Sequence, residues 1–243
     1  MRHYHGTPIG GTRVGEVQFA RRRFLFVPWK RPESLVTAQA VSCGFACDNS
    51  AFSFWTTGER PEWKDYSKWI AEVSQHPKFD FCIVPDVIDG TEDDNRMLLA
   101  RWWRSLPYRV ATLGVPVWHL HESWEWLEHL IRHHAMIALG SSGEYSTPGA
   151  GKWWDRMDEA WDVITRDGMP RVRVHGLRML RPDIIEAYPF YSCDSTNIVQ
   201  NASRAAGKLE LNPVAAMELE AARIEQYQSP ERWERKAKEM LLF

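Results

Sequence analysis

Hydrophobic residues recur along this chain in short runs of aromatic and β-branched side chains, and each run is followed by a longer, more polar segment. Apolar runs of this length that are bounded by turn residues are typical of strands buried in a parallel sheet. The pattern predicts eight strands, at His3–His5, Phe24–Trp29, Phe45–Cys47, Phe81–Val84, Val115–Leu120, Met136–Leu139, Val172–His175 and Phe190–Cys193.

The intervals between these strands carry most of the predicted helices. Four intervals have the length and apolar spacing of amphipathic helices: Glu62–Gln75, Glu92–Leu106, Ser123–His134 and Trp153–Arg166. The first two intervals fit less well, because Gly6–Gly15 is rich in glycine and predicts a loop, and Pro32–Val41 has room for only a short helix. Repeated strand–helix alternation predicts an α/β fold, a single (β/α)8 barrel of the TIM type. An open flavodoxin-like sheet is the alternative, although it normally uses fewer strands.

Chain length is consistent with one such barrel and no second full domain. The chain has 243 residues, and a barrel of this type takes roughly 250. Strand signals stop after Asn197, and Pro213–Leu242 has the composition of one or two helices. We therefore predict a catalytic barrel over residues 1–200 and a helical extension over residues 201–243 that packs on it.

Composition narrows the class of protein. With 44% hydrophobic and 26% charged residues, the chain resembles a soluble globular protein. No apolar run approaches the ~20 residues of a membrane span, which predicts a cytoplasmic protein with no membrane partner. The four cysteines form no Cys-x-x-Cys pair, which favours free thiols over a structural zinc site.

Charge is nearly balanced, but basic residues cluster locally. The formal net charge is −2, so the protein is not a generally basic one that coats nucleic acid. A basic groove on a neutral protein can still contact phosphates. We predict such contacts at two basic stretches, with the nucleic-acid-binding residues Arg21, Arg22, Arg23, Arg173 and Arg178.

Candidate chemistry lies at the ends of the predicted strands, where α/β barrels carry their active sites. Asp48, Asp86 and Asp194 each follow an apolar strand and precede a loop. Carboxylates that meet at one barrel mouth repel each other and separate their pKa values, so that one can act as a nucleophile and another can transfer protons. A further strand runs into the small-residue loop Gly140–Gly143, where backbone amides can approach a planar ligand.

Taken in order, these motifs resemble the tRNA-guanine transglycosylase superfamily, and most closely its phage and bacterial branch that inserts 7-deazaguanine bases into DNA. Asp48-Asn-Ser-Ala-Phe52 is similar to the family's Asp-Ser-Gly-Gly/Ala-Phe segment. Val174-His-Gly-Leu177, followed by Asp194-Ser-Thr196, resembles the Val-His-Gly-Leu-Gly and Asp-Ser-Thr/Ala pattern near the family's nucleophile. Asn49 and Arg178 depart from that pattern, which favours Ser and Gly there. No cysteine follows Cys193 to form the zinc subdomain of the tRNA enzymes, so DNA is the expected acceptor and tRNA is less favoured.

The resemblance implies a base exchange without cofactor or metal. Asp194 would be the nucleophile at C1′ of a deoxyguanosine, and Asp48 the general acid/base. The implied partners are DNA and a free 7-deazaguanine base such as preQ0 or preQ1. The residues implied to bind the substrate base are Asp86, Gly140, Ser141, Ser142, Phe52, His175 and Gly176.

Two other readings stay open. A metal-dependent barrel hydrolase of the amidohydrolase kind would use His3, His5, His119, His121, His175 and Asp194 as ligands. A non-catalytic nucleic-acid-binding protein would need the basic stretches but not three acids, since carboxylates at a phosphate site weaken binding.

Overall fold

The computed structural model of this protein describes residues 1–7, 13–196, 198, 206–207 and 212–235. Its strands follow the predicted runs closely. In chain order they are β1 (Arg2–Gly6), β2 (Phe24–Pro28), β3 (Gly44–Asp48), β4 (Phe79–Ile83), β5 (Gly114–Val115), β6 (Val117–His119), β7 (Met136–Gly140), β8 (Thr165–Arg166), β9 (Met169–Pro170), β10 (Arg173–Gly176) and β11 (Ser192–Ser195).

Nine of these strands form one parallel sheet that curls into a barrel. Their order is β5-β4-β3-β2-β1-β11-β10-β7-β6. Strands β5 and β6 are separated only by Pro116, and they pair with β4 and β7 at the two ends of that order. They therefore act as one interrupted strand that completes an eight-stranded ring. The predicted (β/α)8 barrel is confirmed, but the continuous strand Val115–Leu120 is wrong, because proline has no N–H for the ladder.

Helices occupy the intervals between the barrel strands. They are α1 (Arg13–Ala20), α2 (Leu35–Val41), α3 (Ala51–Thr57), α4 (Trp63–Val73), α5 (Glu92–Ser105), α6 (Tyr108–Ala111), α7 (Trp124–His133), α8 (Gly151–Ile164), α9 (Pro182–Ile185) and α10 (Pro213–Glu225). Two 3₁₀ turns cover Pro32–Ser34 and Gly143–Tyr145. Within the described ranges, no helix has the length and apolar character needed to cross a membrane.

Two elements differ from the sequence-based expectation. The glycine-rich segment Gly6–Gly15 was expected to be a loop, yet α1 begins at Arg13 and packs against α2 and α10; residues 8–12 lie outside the described part. The hairpin of β8 and β9 was not predicted. Its two-residue turn, Asp167-Gly168, has positive φ at both positions, the conformation that Asp-Gly favours in tight hairpins.

The core has an inner and an outer layer, because side chains alternate across each strand. Phe26, for example, points into the barrel, whereas Leu25 and Val27 point outward toward the helices. The inner layer consists of Tyr4, Phe26, Ala46, Phe81, Ile83, Val115, Val117 and Ala138. This packed interior leaves the carboxyl-terminal mouth as the place for a binding site.

The helical C-terminal part lies against the outside of the barrel. Met217 and Ala221 of α10 are fully buried. Arg23 Nε donates to Glu225 Oε1 over 2.8 Å, and His5 Nε2 lies 2.8 Å from the same oxygen. The predicted helical region Pro213–Leu242 is thus a helix up to Glu225, and residues 236–242 lie outside the described part.

Candidate active site

The three candidate aspartates line one cavity at the carboxyl-terminal mouth of the barrel. Asp48 is the last residue of β3, Asp86 follows β4 and Asp194 lies in β11. The cavity has a volume of about 410 Å³ and is also lined by Gly140 and Ser141. Pockets of roughly 300–1,000 Å³ accept small organic ligands, so the space is sufficient for a heterocyclic base.

Asp48 is poised for proton transfer near neutral pH. Burial, followed by repulsion from Asp194 and Asp86, raises the pKa of Asp48 to about 7. The backbone N–H of Ser50 donates to Asp48 Oδ2 over 3.1 Å and orients the carboxyl group. A general acid/base works best with a pKa close to the working pH, and burial together with the two neighbouring carboxyl groups provides it.

Asp194 is held from below and from one side. The backbone N–H of Arg178 donates to Asp194 Oδ1 over 2.9 Å. Nε2 of His175 lies 3.3 Å from the same oxygen, while Nδ1 of His175 is 2.8 Å from Ser192 Oγ. His175 is completely buried among the inner rings of the barrel. It therefore supports the carboxylate from beneath and does not itself line the cavity.

Asp86 is buried, and both of its carboxylate oxygens have neighbours. Asn49 Nδ2 donates to Asp86 Oδ1 over 2.6 Å and to the Val84 carbonyl over 2.7 Å. His119 Nε2 lies 2.9 Å from Asp86 Oδ2, but no hydrogen-bond partner is aligned with that nitrogen. A carboxylate offers about four lone-pair positions, so Asp86 keeps acceptor capacity for a ligand.

His119 was not predicted as a base-binding residue, and it lines the cavity at the end of β6. Burial alone would lower its pKa, but Asp86 and Glu122 more than offset that effect and raise it to about 9. Glu122 is fixed in turn, since the backbone N–H of His119 donates to its Oε2 over 2.8 Å and Asn95 Nδ2 donates to its Oε1 over 2.8 Å. The cavity floor therefore places the His119 imidazole between the carboxyl groups of Asp86 and Glu122. Only the His-x-His spacing pointed to this residue, as a ligand in the metal-hydrolase alternative.

The residues of the small-residue loop after β7 lie in two different environments, some on the cavity wall and one buried beside it. Gly140 and Ser141 line the cavity, and Ser141 Oγ accepts the Trp153 indole N–H over 2.9 Å. A Cβ at Gly140 would lie 3.0 Å from Val117 Cγ1 and 3.2 Å from His119 Cδ2. Glycine therefore allows the end of β7 to lie close to these two side chains of β6. Ser142 is buried beside the cavity, with its Oγ 2.6 Å from His121 Nδ1.

Gly176 has a packing role in the structure. A Cβ there would come within 2.9 Å of both Cys193 Sγ and the Met179 side chain. Gly176 is buried under the cavity and is not among the residues that line it.

The rim of the cavity carries exposed aromatic and basic groups. Phe52 of α3 lines the cavity and is 40% exposed, and the Arg178 guanidinium lies 4.1 Å from its ring centre. Arg31, which follows β2, also lines the cavity. Of the predicted nucleic-acid-binding residues, Arg178 lies at this mouth. Arg31 was not among the predicted residues.

The other four predicted arginines lie at the opposite end of the barrel. Arg21, Arg22 and Arg23 directly precede β2, and Arg173 is the first residue of β10, so all four are at the amino-terminal ends of strands. The Arg23 side chain is also occupied by Glu218 and Glu225. These four arginines therefore lie away from the three aspartates, and their contact with nucleic acid stays a prediction.

Two residues near the mouth other than glycine have a left-handed backbone. Ser50 has a φ of 63° and Arg178 a φ of 59°, a conformation that glycine adopts without penalty. Both residues therefore hold a strained main chain beside Asp48 and Asp194.

The ligand set of the metal-hydrolase alternative does not converge. His3 and His5 point away from the barrel interior, where their Nε2 atoms lie 2.9 Å from the Tyr227 carbonyl and 2.8 Å from Glu225. His121 lies at the exposed rim beside Ser142. Among the described residues, no three His, Cys, Asp or Glu side chains are arranged to hold a metal ion.

Comparison with known proteins adds no family to this description. No protein-family model, no curated protein and no solved structure matches the chain. The function must therefore be argued from the site.

Proposed function

We propose that this protein is a transglycosylase that replaces guanine in DNA by a free 7-deazaguanine base. The observation that carries the proposal is the meeting of Asp48, Asp86 and Asp194 on one base-sized cavity, with a pKa of about 7 at Asp48. Carboxylates that face one small cavity in different environments are suited to divide nucleophile and acid/base roles.

In the first half of the reaction, a carboxylate oxygen of Asp194 attacks C1′ of the nucleotide while the bond from C1′ to N9 of guanine breaks. A covalent ester with the sugar forms, as in other carboxylate-dependent exchanges at an anomeric carbon. Protonated Asp48 gives its proton to the departing base. The Arg178 N–H bound to Asp194 Oδ1 fixes the attacking group.

In the second half, the 7-deazaguanine enters the vacated cavity and gives its N9 proton to the Asp48 carboxylate. N9 then attacks C1′, the ester bond breaks and Asp194 is regenerated. Asp86 accepts from the ring N–H and the exocyclic amine of the base, while His119 and the Gly140–Ser141 backbone face its carbonyl. A base without that donor pair would leave a buried carboxylate unpaired, which costs on the order of 1–3 kcal/mol per missing partner.

The decisive experiment is covalent trapping. Wild-type protein is incubated with end-labelled DNA with and without a 7-deazaguanine base, and the mixture is analysed on a denaturing gel and for release of labelled guanine. We expect a protein–DNA adduct in the wild type and none in Asp194→Ala, with exchange reduced by at least about a thousandfold, as for loss of a covalent nucleophile.

Asp183→Ala is the matched control, because Asp183 is an exposed aspartate on α9 whose charge is paired with Arg181. It should trap and exchange like the wild type. An adduct that persists in Asp194→Ala would refute the assignment of the nucleophile. Guanine release that needs no incoming base would instead identify a hydrolytic glycosylase. Exchange on an RNA hairpin but not on DNA would show that the acceptor is tRNA.

A further inference from the structure

Two large aromatic side chains stand exposed together at the rim of the cavity. Phe52 and Trp55 lie on successive turns of α3, with their ring centres 5.6 Å apart. They are 40% and 48% exposed. Large aromatic surface is costly to leave in water, and a cluster of it beside a cavity marks a contact surface.

The Trp55 ring is held in place. Its indole N–H donates to Asp89 Oδ2 over 2.9 Å, which links α3 to the loop after β4. A ring whose orientation is already fixed loses little entropy when a planar group stacks on it.

The cations next to these rings fit a polyanion. Arg178 lies over the Phe52 ring, and both Arg178 and Arg31 line the cavity. A guanidinium on an aromatic face is a recurring element of surfaces that receive unpaired bases and their phosphates. A protein surface that binds the edge of a duplex or a peptide helix does not require isolated aromatic rings on which a base can stack.

We propose that Phe52 and Trp55 form a stacking platform for the unpaired nucleotide next to the reacting one, so that the acceptor binds as single-stranded DNA. The choice of ligand rests on the proposed function. A base in a duplex has both faces covered by its neighbours, so only an unpaired or unstacked nucleotide can lie on Trp55. Arg31 and Arg178 then contact the flanking phosphates.

The test measures binding of a fluorescent oligonucleotide by anisotropy at one fixed salt concentration, because such affinities depend strongly on salt. A single strand that contains guanine is compared with the duplex of the same sequence. We expect Trp55→Ala to weaken single-strand binding by about tenfold to a hundredfold, the usual effect of removing one stacked ring. Trp55→Phe should retain most of the affinity, and the duplex should bind more weakly than the single strand.

Tyr108→Ala is the control, because Tyr108 is an exposed aromatic residue, 77% accessible, at the start of α6 and away from the mouth. It should bind like the wild type. Equal single-strand affinity of wild type and Trp55→Ala would overturn the platform, as would a duplex bound as tightly as the single strand.

The outcome is separable from that of the proposed function. Calorimetric binding of free 7-deazaguanine should be the same in Trp55→Ala and wild type. If the protein binds and exchanges the base but Trp55→Ala binds the oligonucleotide as tightly as wild type, the platform alone is overturned. Single-strand binding that depends on Trp55, without exchange of any base, would overturn the transglycosylase and support the platform.

Discussion

At the scale of single residues, the most informative group is Asp48, because its titration reports how the three acids are arranged. Its ionisation is opposed by burial and then by Asp194 and Asp86. A carboxyl group whose pKa is higher in the folded protein than in the unfolded chain binds its proton more tightly when folded. Its ionisation therefore destabilises the fold as pH rises from about 4 to about 7.

We predict that Asp48→Asn stabilises the protein at pH 8 and leaves its stability nearly unchanged at pH 4. One pKa unit corresponds to about 1.4 kcal/mol, so a gain of at least ~1 kcal/mol in the free energy of unfolding is expected at the higher pH. Urea unfolding at the two pH values measures it. Asn keeps an oxygen that can accept the Ser50 N–H.

Asp65→Asn is the control, since Asp65 is an exposed aspartate of α4 paired only with Lys68 at the surface. It should change stability by less than about 0.5 kcal/mol at either pH. If Asp48→Asn gives no larger gain at pH 8 than at pH 4, the aspartates do not interact as the structure places them.

The sequence identified the three aspartates because each ends an apolar strand, and strand ends of a parallel barrel meet at one mouth. It did not identify the partners that adjust them. Asn49 bonds to Asp86 across 37 positions of sequence, and Asn95 reaches Glu122 across 27. Such contacts depend on the register of neighbouring strands, which a single sequence does not encode locally. The position of the arginines could not be predicted for a related reason, because composition does not tell which end of the barrel a charge occupies.

At the scale of elements, the segment after β10 combines backbone strain with a position on the cavity wall. Arg178 holds a left-handed backbone, its N–H binds Asp194 and its guanidinium covers Phe52. A residue with a Cβ pays about 1 kcal/mol or more for this conformation. Strain that persists beside a site is consistent with a role for the side chain in binding.

We predict that Arg178→Gly raises the free energy of unfolding by up to ~1 kcal/mol while it weakens binding of single-stranded DNA. Glycine removes the backbone penalty but also the guanidinium. Urea unfolding and oligonucleotide anisotropy measure the two effects. Arg181→Gly should only destabilise, because its φ of −133° is already extended and its guanidinium holds Asp183 and the Pro148 carbonyl. A loss of stability in Arg178→Gly would show that the strain is compensated elsewhere.

Helices and strands were predicted correctly where a regular hydrophobic pattern extended over many residues. The predictions were wrong where proline or glycine interrupted that pattern. Helices α5 and α7 begin within one residue of the predicted limits, at Thr91 and Ser123 caps that accept backbone N–H groups. Pro116 divided an apolar run into β5 and β6, and the small helix α1 was hidden beside a glycine-rich stretch. The proline interrupts the ladder because it has no N–H, whereas α1 packs against α2 and α10, which its local composition does not reveal.

At the scale of the whole molecule, the N-terminal strand β1 contacts α10 and the segment that follows it on the outside of the barrel. The Met1 amino group donates to Gln228 Oε1 over 2.6 Å. The His5 and Arg23 side chains, both nearly or fully buried, converge on Glu225 of α10. One half-buried carboxylate therefore joins the first two strands to the C-terminal helix.

We predict that Glu225→Gln destabilises the protein by about 1–3 kcal/mol at pH 7, because it removes one of the two carboxylates, Glu218 and Glu225, that pair with the largely buried Arg23 guanidinium. Burial alone would raise the pKa of Glu225, but hydrogen bonds and charges of His5 and Arg23 lower it to about 2. The stabilisation is therefore full above about pH 4.5 and is lost as the pH falls toward 2. Urea unfolding should show a smaller difference between variant and wild type at about pH 3.5 than at pH 7.

Glu220→Gln is the control, because Glu220 lies on the same helix and has a surface partner in Arg223. It should differ from wild type by less than about 0.5 kcal/mol at both pH values. Equal effects of the two substitutions would mean that α10 does not anchor the barrel through Glu225.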